Sequence, residues 1–311
     1  MAKIGTSDLD VPRLCLGANV FGWTADRDAS FAVLDAYAAA GGTFLDTADS
    51  YMWRVPGNSG GESETIIGEW AAARGNRDDL VIATKVGSLP DRKGLSAANI
   101  AAAVDDSLRR LRTDRIDLYY AHRDDPDTPQ EEYLAAFDAL VRAGKVRAIG
   151  ASNFSAERLR SALDISAEAG LAAFVALQPH YNLLERAEFE RDLAPVLAAE
   201  GLSCLPYYGL AKGFLTGKYR PGSPEVDSPR AAGAKEYLDD RGLAALAALD
   251  GIAGAHGVPV AAVALAWLAA QPTVVAPIAS ARTPEQLADL LPVLDLTLTD
   301  AELDLLTTTT A

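Results

Sequence analysis

LVIAT at 80–84, RIDLYYA at 115–121 and VRAIG at 146–150 are three short β-type runs, each followed by a helical stretch. The helical stretches are about Ser96–Leu111, Gln130–Ala143 and Ala156–Glu168. Strand-then-helix alternation of this kind argues for a parallel sheet. The pattern extends outward in both directions. Upstream, Arg13–Gly17 precedes a helix at Ser30–Ala40, and Thr43–Asp46 precedes one at Ser63–Arg74. Downstream, Ala173–Leu177 leads to a Pro-interrupted helical stretch, Ala187–Glu200, and then to Leu202–Pro206. After a long loop come helices at Leu238–His256 and Val260–Ala270, then an eighth β run at Thr273–Ala276. Eight such units in 311 residues predict an α/β fold, a (β/α)8 TIM barrel, as one domain over 1–311. The alternative, an open doubly wound sheet, wants G-x-G-x-x-G after its first strand. LCLGANVFGW does not provide it.

Additions to the barrel are small. Met1–Val11 reads as a short N-terminal β-hairpin turned at Thr6-Ser7-Asp8, closing one barrel end. Thr283-Pro284-Glu285-Gln286 and Thr299-Asp300-Ala301-Glu302 are helix-start signals and predict extra C-terminal helices. The long irregular segments are about Ser50–Gly61, Val86–Leu95 and Tyr207–Glu236, and loops of that length are usually functional.

Composition narrows the function classes. The net charge of −15 argues against nucleic acid or an anionic membrane surface as partner, because both require clustered Lys and Arg. Cys15 and Cys204 lie in apolar runs and read as buried free thiols. MAKIGTSDLD lacks the apolar core of a signal peptide, and the unbroken apolar run Val260–Ala270 is about half of what spans a bilayer. The expectation is a soluble cytoplasmic protein. With only His122, His180 and His256, and no H-x-H or H-E-x-x-H, no metal site is expected. Gly57-Asn58-Ser59-Gly60-Gly61 is formally G-x-S-x-G, but a nucleophile elbow needs a strand before it, and here a Pro56-broken loop precedes it.

In a barrel, chemistry collects where strands end. Here the strand ends deliver Asp46 through Tyr51, Lys85, His122, Ser152 with Asn153, Gln178 and Tyr207. Each alone has a structural explanation as a cap, a solvated side chain or packing. Convergence of Asp, Tyr, Lys and His from three successive strands suggests a proton-donor unit instead. A neighbouring ammonium favours a phenolate, so Lys85 is expected to lower the pKa of Tyr51. Asp46 would hold Lys85, and His122 could hydrogen-bond a substrate carbonyl.

These residues and their flanks resemble the aldo-keto reductase family nearly end to end. The matching pieces include FLDTADSY (44–51), GGESETIIGEW (60–70), VIATKVG (81–87), LYYAHRDDP (118–126), IGASNFS (149–155), LQPHYNLLER (177–186), GFLTGKY (213–219) and PIASARTPEQL (277–287). The resemblance implies a catalytic tetrad of Asp46, Tyr51, Lys85 and His122. It implies reversible hydride transfer between a nicotinamide cofactor and a carbonyl carbon, with Tyr51 as proton donor and no metal. It also implies cofactor contacts. Ser152, Asn153 and Gln178 would bind the carboxamide, Tyr207 would stack on the nicotinamide, and Leu210, Lys212, Gly213, Leu215 and Lys218 would wrap the pyrophosphate. Ser280, Arg282, Gln286 and Asp289 would hold the adenosine end. Arg282 suits a 2′-phosphate because a guanidinium can clamp it with two donors, so NADPH is preferred over NADH. Departures fall on that side. Ser280 stands where many relatives have Gly, Leu290 where many have Asn, and Tyr208-Gly209 replaces a common Ser-Pro pair.

The partner expected is a small-molecule carbonyl. Phe21, Trp23 and Trp53, with Tyr51, His122 and Tyr181, are the expected pocket walls, and the short C-terminal tail suggests an open site of broad range. A non-enzymatic alternative is a cofactor-sensing subunit of the channel-associated type, since such relatives retain much of the tetrad. The oligomeric state is not legible.

Overall fold

The computed structural model describes residues 1–311. In chain order its first elements are β1 (Ala2–Lys3), β2 (Asp10–Val11), β3 (Cys15–Gly17), α1 (Arg27–Ala39), β4 (Phe44–Asp46), α2 (Glu62–Arg74), β5 (Val81–Val86), β6 (Ser88–Leu89), β7 (Arg92–Lys93) and α3 (Ala97–Leu111). Next come β8 (Ile116–Ala121), α4 (Gln130–Arg142), β9 (Val146–Ser152), α5 (Ala156–Ala169), β10 (Phe174–Gln178), α6 (Ala194–Glu200) and β11 (Ser203–Cys204). The last are α7 (Ala231–Lys235), α8 (Asp240–His256), α9 (Val260–Ala269), β12 (Ile278–Ala279), α10 (Pro284–Ala288) and α11 (Asp300–Thr309).

Eight strands form one parallel sheet in the order β11-β10-β9-β8-β5-β4-β3-β12, with helices between them, which is the (β/α)8 arrangement. The sheet curls shut where Cys204 bridges Val274: the Cys204 N–H donates to Thr273 O, and the Val275 N–H to Cys204 O. The expected eighth strand, Thr273–Ala276, needs correction, because the residues that pair with β3 are Ile278–Ala279. Thr273 sits at φ 69, in the left-handed region, and Pro277 has no N–H to give a ladder. The segment therefore touches one neighbour early and the other late. The stretch Val86–Leu95 is also more regular than expected, since β6 and β7 pair antiparallel within it.

Local signals set the helix boundaries. Asp26 accepts from the Ala29 N–H, so α1 begins three residues before the expected Ser30. Ser96, Ser155, Asp239 and Thr283 cap α3, α5, α8 and α10 in the same way, and Thr299 with Glu302 forms a full capping box on α11. The hairpin β1–β2 plugs the N-terminal end of the barrel. Ile4, Leu9 and Val11 pack on Cys15, Phe44 and Leu118 inside it, and the Gly5 N–H donates to Ser203 Oγ at 2.7 Å. The opposite end is left to the βα loops. No single helix is long and apolar enough to cross a membrane, and the apolar α9 is enclosed from Ala261 to Leu268. Trp267, on that helix, is fully buried with its indole N–H on Thr307 Oγ1, so truncation to Ala should cost about 3–5 kcal/mol.

Candidate active site

Asp46 ends β4 and lies almost fully buried. Lys85, on β5, is fully buried and donates from Nζ to Asp46 Oδ2 at 2.6 Å, to Thr47 O at 2.7 Å and to Tyr51 Oη at 2.8 Å. Three acceptors for three ammonium protons satisfy the buried cation completely. Tyr51 Oη donates to Asp46 Oδ2 at 3.3 Å. The His122 ring lies edge-on to Tyr51, with centroids 6.1 Å apart, and its Nδ1 is 3.3 Å from Ser50 Oγ. The four side chains expected to converge therefore do so at one end of the barrel.

The electrostatics differ from the sequence expectation at Tyr51. Burial pushes the phenol well above its usual pKa, and the Asp46 carboxylate adds to the rise. Lys85 does not bring it down: the lowering charge felt by the phenol is that of Arg230, and burial outweighs it. Tyr51 is a protonated phenol at neutral pH. Burial also lowers the His122 pKa well below the usual histidine value, with Lys85 and Arg123 acting in the same direction, so its imidazole is neutral.

Asp49 was not singled out by sequence. Its N–H donates to Lys85 O at 3.2 Å, its side chain is buried, and Oδ1 has no hydrogen-bond partner. Burial, then the charge of Glu64, pushes its pKa up to about 7, against the opposing pull of Arg110 and Arg92. Glu64 is itself held by Thr84 Oγ1 and by Arg110 Nε at 2.6 Å. Gly60, at φ 99, lies so close that a Cβ there would come within 2.9 Å of Asp49 O. The glycine-rich segment is thus a close-packed turn into α2, and Ser59 and Gly60 give their N–H groups to Glu62. No strand precedes Ser59, so it is not on a nucleophile elbow.

From β8 to β11 the strand ends are knitted together. Gln178 donates through Nε2 to Asp46 Oδ1 at 2.8 Å, and Ser152 Oγ donates to Gln178 O at 2.9 Å. Asn153, left-handed at φ 58, donates to His122 O at 3.0 Å and accepts from Tyr207 Oη at 2.7 Å. Tyr207 also stacks on His180 at 5.5 Å. Ser152, Asn153, Gln178 and Tyr207 all line a cavity of about 480 Å³ that reaches Asp46, Tyr51 and His122.

The cavity continues along the loops after β11 and β12, lined by Leu210, Lys212, Gly213, Lys218, Ser280, Arg282, Gln286 and Asp289. Leu215 does not line it, being fully buried in the core. Lys212 reaches the cavity, but its ammonium is paired with Glu236 at 2.7 Å. Gln286 spends Oε1 on the Arg282 N–H at 3.0 Å, and Ser280 donates to Asn19 Oδ1 at 2.8 Å. Arg230, which sequence reasoning missed, lines the cavity and acts electrostatically on the same region as Lys218 and Arg282. Lys218, Arg230 and Arg282 have no carboxylate within ion-pair distance. Burial, with repulsion from Arg282, lowers the pKa values of Lys218 and Arg230. Three unpaired cations converging in one groove suit a polyanionic dinucleotide.

The expected pocket walls need correction. Trp23 lines the cavity, but Phe21 is fully buried in the core. Gly22, at φ 76, reverses the chain between them, turning one aromatic inward and the next outward. Trp53 is exposed outside the cavity, with Arg54 over its ring at 4.8 Å. Tyr181 is core, packed on Phe189. Tyr208, left-handed at φ 55, lines the cavity in addition.

Comparison with known proteins agrees with this architecture. A sequence model of the aldo/keto reductase family matches residues 13–310. The oxidoreductase YrpG of Bacillus subtilis is 35% identical over 304 residues, covering 95% of this chain and 91% of its own length. Norsolorinic acid reductase B of Aspergillus parasiticus is 33% identical, covering 96% of this chain and 80% of its own. A "probable voltage-gated potassium channel subunit beta" of Oryza sativa subsp. japonica is 34% identical, covering 94% and 90%.

Proposed function

The chain belongs to the aldo/keto reductase family and is a nicotinamide-dependent oxidoreductase of small carbonyl compounds; on that premise we propose that it reduces aldehydes or ketones with NADPH and uses Tyr51 as proton donor. The observation that carries the proposal is the buried Lys85–Asp46–Tyr51 cluster beside a neutral His122. The cofactor, when bound, supplies the hydride. Tyr51 Oη gives its proton to the developing alkoxide, and its burial keeps that proton in place until then. Asp46 and Thr47 O hold Lys85 against Tyr51. Assigning the Ser50 hydroxyl as donor to Nδ1 puts the His122 proton on Nε2, where it would orient the carbonyl oxygen.

Ser152, Asn153 and Gln178 would hold the carboxamide, and Tyr207 would stack on the nicotinamide. Leu210, Gly213, Lys218 and Arg230 would surround the pyrophosphate, with Ser280, Gln286 and Asp289 at the adenosine end. The preference for NADPH rests on Arg282, unpaired and beside the Thr283 cap of α10. A broad substrate range is supported by Trp23, which is 37% exposed where it lines the cavity.

The test is cofactor oxidation with a panel of aldehydes, ketones and sugars, with Tyr51→Phe as control. Full activity of Tyr51→Phe would remove the assigned proton donor. A protein that binds NADPH and turns over no carbonyl would support the cofactor-sensing reading instead.

A further inference from the structure

We propose that Arg123 selects carbonyl substrates that carry a second, anionic group, a carboxylate held beyond the reacting carbonyl. This rests on the reductase function proposed above. Arg123 follows His122 directly at the end of β8 and lines the same cavity as Tyr51, His122 and Trp23. Its guanidinium makes no ion pair, although two carboxylates follow it in sequence. Asp124 is turned away into a two-pronged pair with Arg158, at 2.7 and 3.0 Å. Asp125 is occupied by the Leu95 N–H and by Thr128 Oγ1, both at 2.7 Å. Within RDD, the two acids are spent on structure and the base is left facing the cavity.

The charge of Arg123 is felt at the reaction end of that cavity. It acts on the His122 ring, after burial and Lys85, and on Tyr207, where burial raises the pKa and Arg123 opposes that rise. The Asp46 carboxylate there is ion-paired with Lys85, and its other oxygen accepts from Gln178. The other unpaired cations of the cavity, Lys218, Arg230 and Arg282, belong to the loops after β11 and β12, where the cofactor phosphates are assigned. Arg123 is the unpaired cation on the β8 side, next to His122, whereas the charge of Arg230 acts on Tyr51 from the loop after β11. A guanidinium offers a planar fork that fits a carboxylate with two parallel donors.

The experiment compares 3- and 4-carboxybenzaldehyde with their methyl esters as substrates of the full chain. The readout is the ratio of kcat/KM for acid over ester, in wild type and in variants, so that differences in intrinsic carbonyl reactivity cancel. Arg123→Gln should lower the ratio about tenfold, as expected for loss of a charge-assisted pair. Arg123→Lys should retain part of it, and Arg123→Glu should lower it further. Added salt should reduce the ratio in wild type and leave it nearly level in Arg123→Gln. A ratio that stays within about twofold in Arg123→Gln and Arg123→Glu overturns the proposal. So does an effect confined to the KM for NADPH, which would make Arg123 a cofactor contact. If wild type reduces neither acids nor esters nor any other carbonyl, the reductase reading itself fails.

Discussion

Gln178 Nε2 donates to Asp46 Oδ1 at 2.8 Å, joining two residues 132 positions apart. The bond completes the shell of a buried carboxylate whose other oxygen serves Lys85 and Tyr51. It also links a residue assigned to the cofactor with one assigned to catalysis. Gln178→Leu should leave a buried carboxylate oxygen without its donor, at a cost of about 1–3 kcal/mol. A fall in kcat/KM of about tenfold or more is expected, together with weaker NADPH binding by fluorescence titration. Loss of binding alone, with kcat intact, would restrict Gln178 to the cofactor.

Tyr51→Phe should lower kcat by about 10²–10⁴-fold while NADPH binding persists. Because burial holds the phenol protonated and His122 neutral, neither should titrate between about pH 7 and 9. Stopped-flow measurement of the reductive step should therefore find no limb from either group in that window. A limb near neutrality that vanishes in His122→Gln would contradict the neutral imidazole.

Asp49 makes stability depend on pH. Its folded pKa of about 7 lies above the usual carboxylate value of 3.8, so the fold favours the protonated form. That stabilisation is full below about pH 4 and is lost as pH rises through about 7. His122 works in the opposite direction, since a depressed histidine loses stability as pH falls below its usual 6.5. The difference between Asp49→Asn and wild type isolates the carboxyl. In urea unfolding, Asp49→Asn should gain on wild type between pH 5 and 8, by on the order of a few kcal/mol. A pH-independent difference would place the proton elsewhere.

Four cations of the groove should separate by variant. Arg282→Ala should cut the NADPH-to-NADH ratio of kcat/KM by about ten- to a hundredfold, as expected for a lost phosphate clamp. Arg230→Ala and Lys218→Ala should raise KM for both cofactors. Lys212→Ala should do least, because its ammonium is already engaged by Glu236 and such exposed pairs contribute about 0–1 kcal/mol. An unchanged ratio in Arg282→Ala would remove its assigned part in NADPH preference.

The sequence by itself determined the eight-unit alternation, the helix starts at Ser96, Thr283 and Thr299, and the strand ends that carry Asp46, Lys85, His122, Ser152, Asn153 and Gln178. Apolar periodicity and capping act over about a dozen residues, so a linear reading captures them. Parallel strands then bring every such end to one rim. Tertiary structure alone decided which polar groups were already spent. Lys212 meets Glu236 across 24 residues, Asp124 meets Arg158 across 34, and the Oδ1 of Asp49 meets no partner. It also decided that Phe21 turns inward while Trp23 lines the cavity, and that burial raises the Tyr51 pKa although Lys85 is hydrogen-bonded to it. Pairing and desolvation depend on what distant segments place around a group, and that information is absent from the residues beside it in the chain.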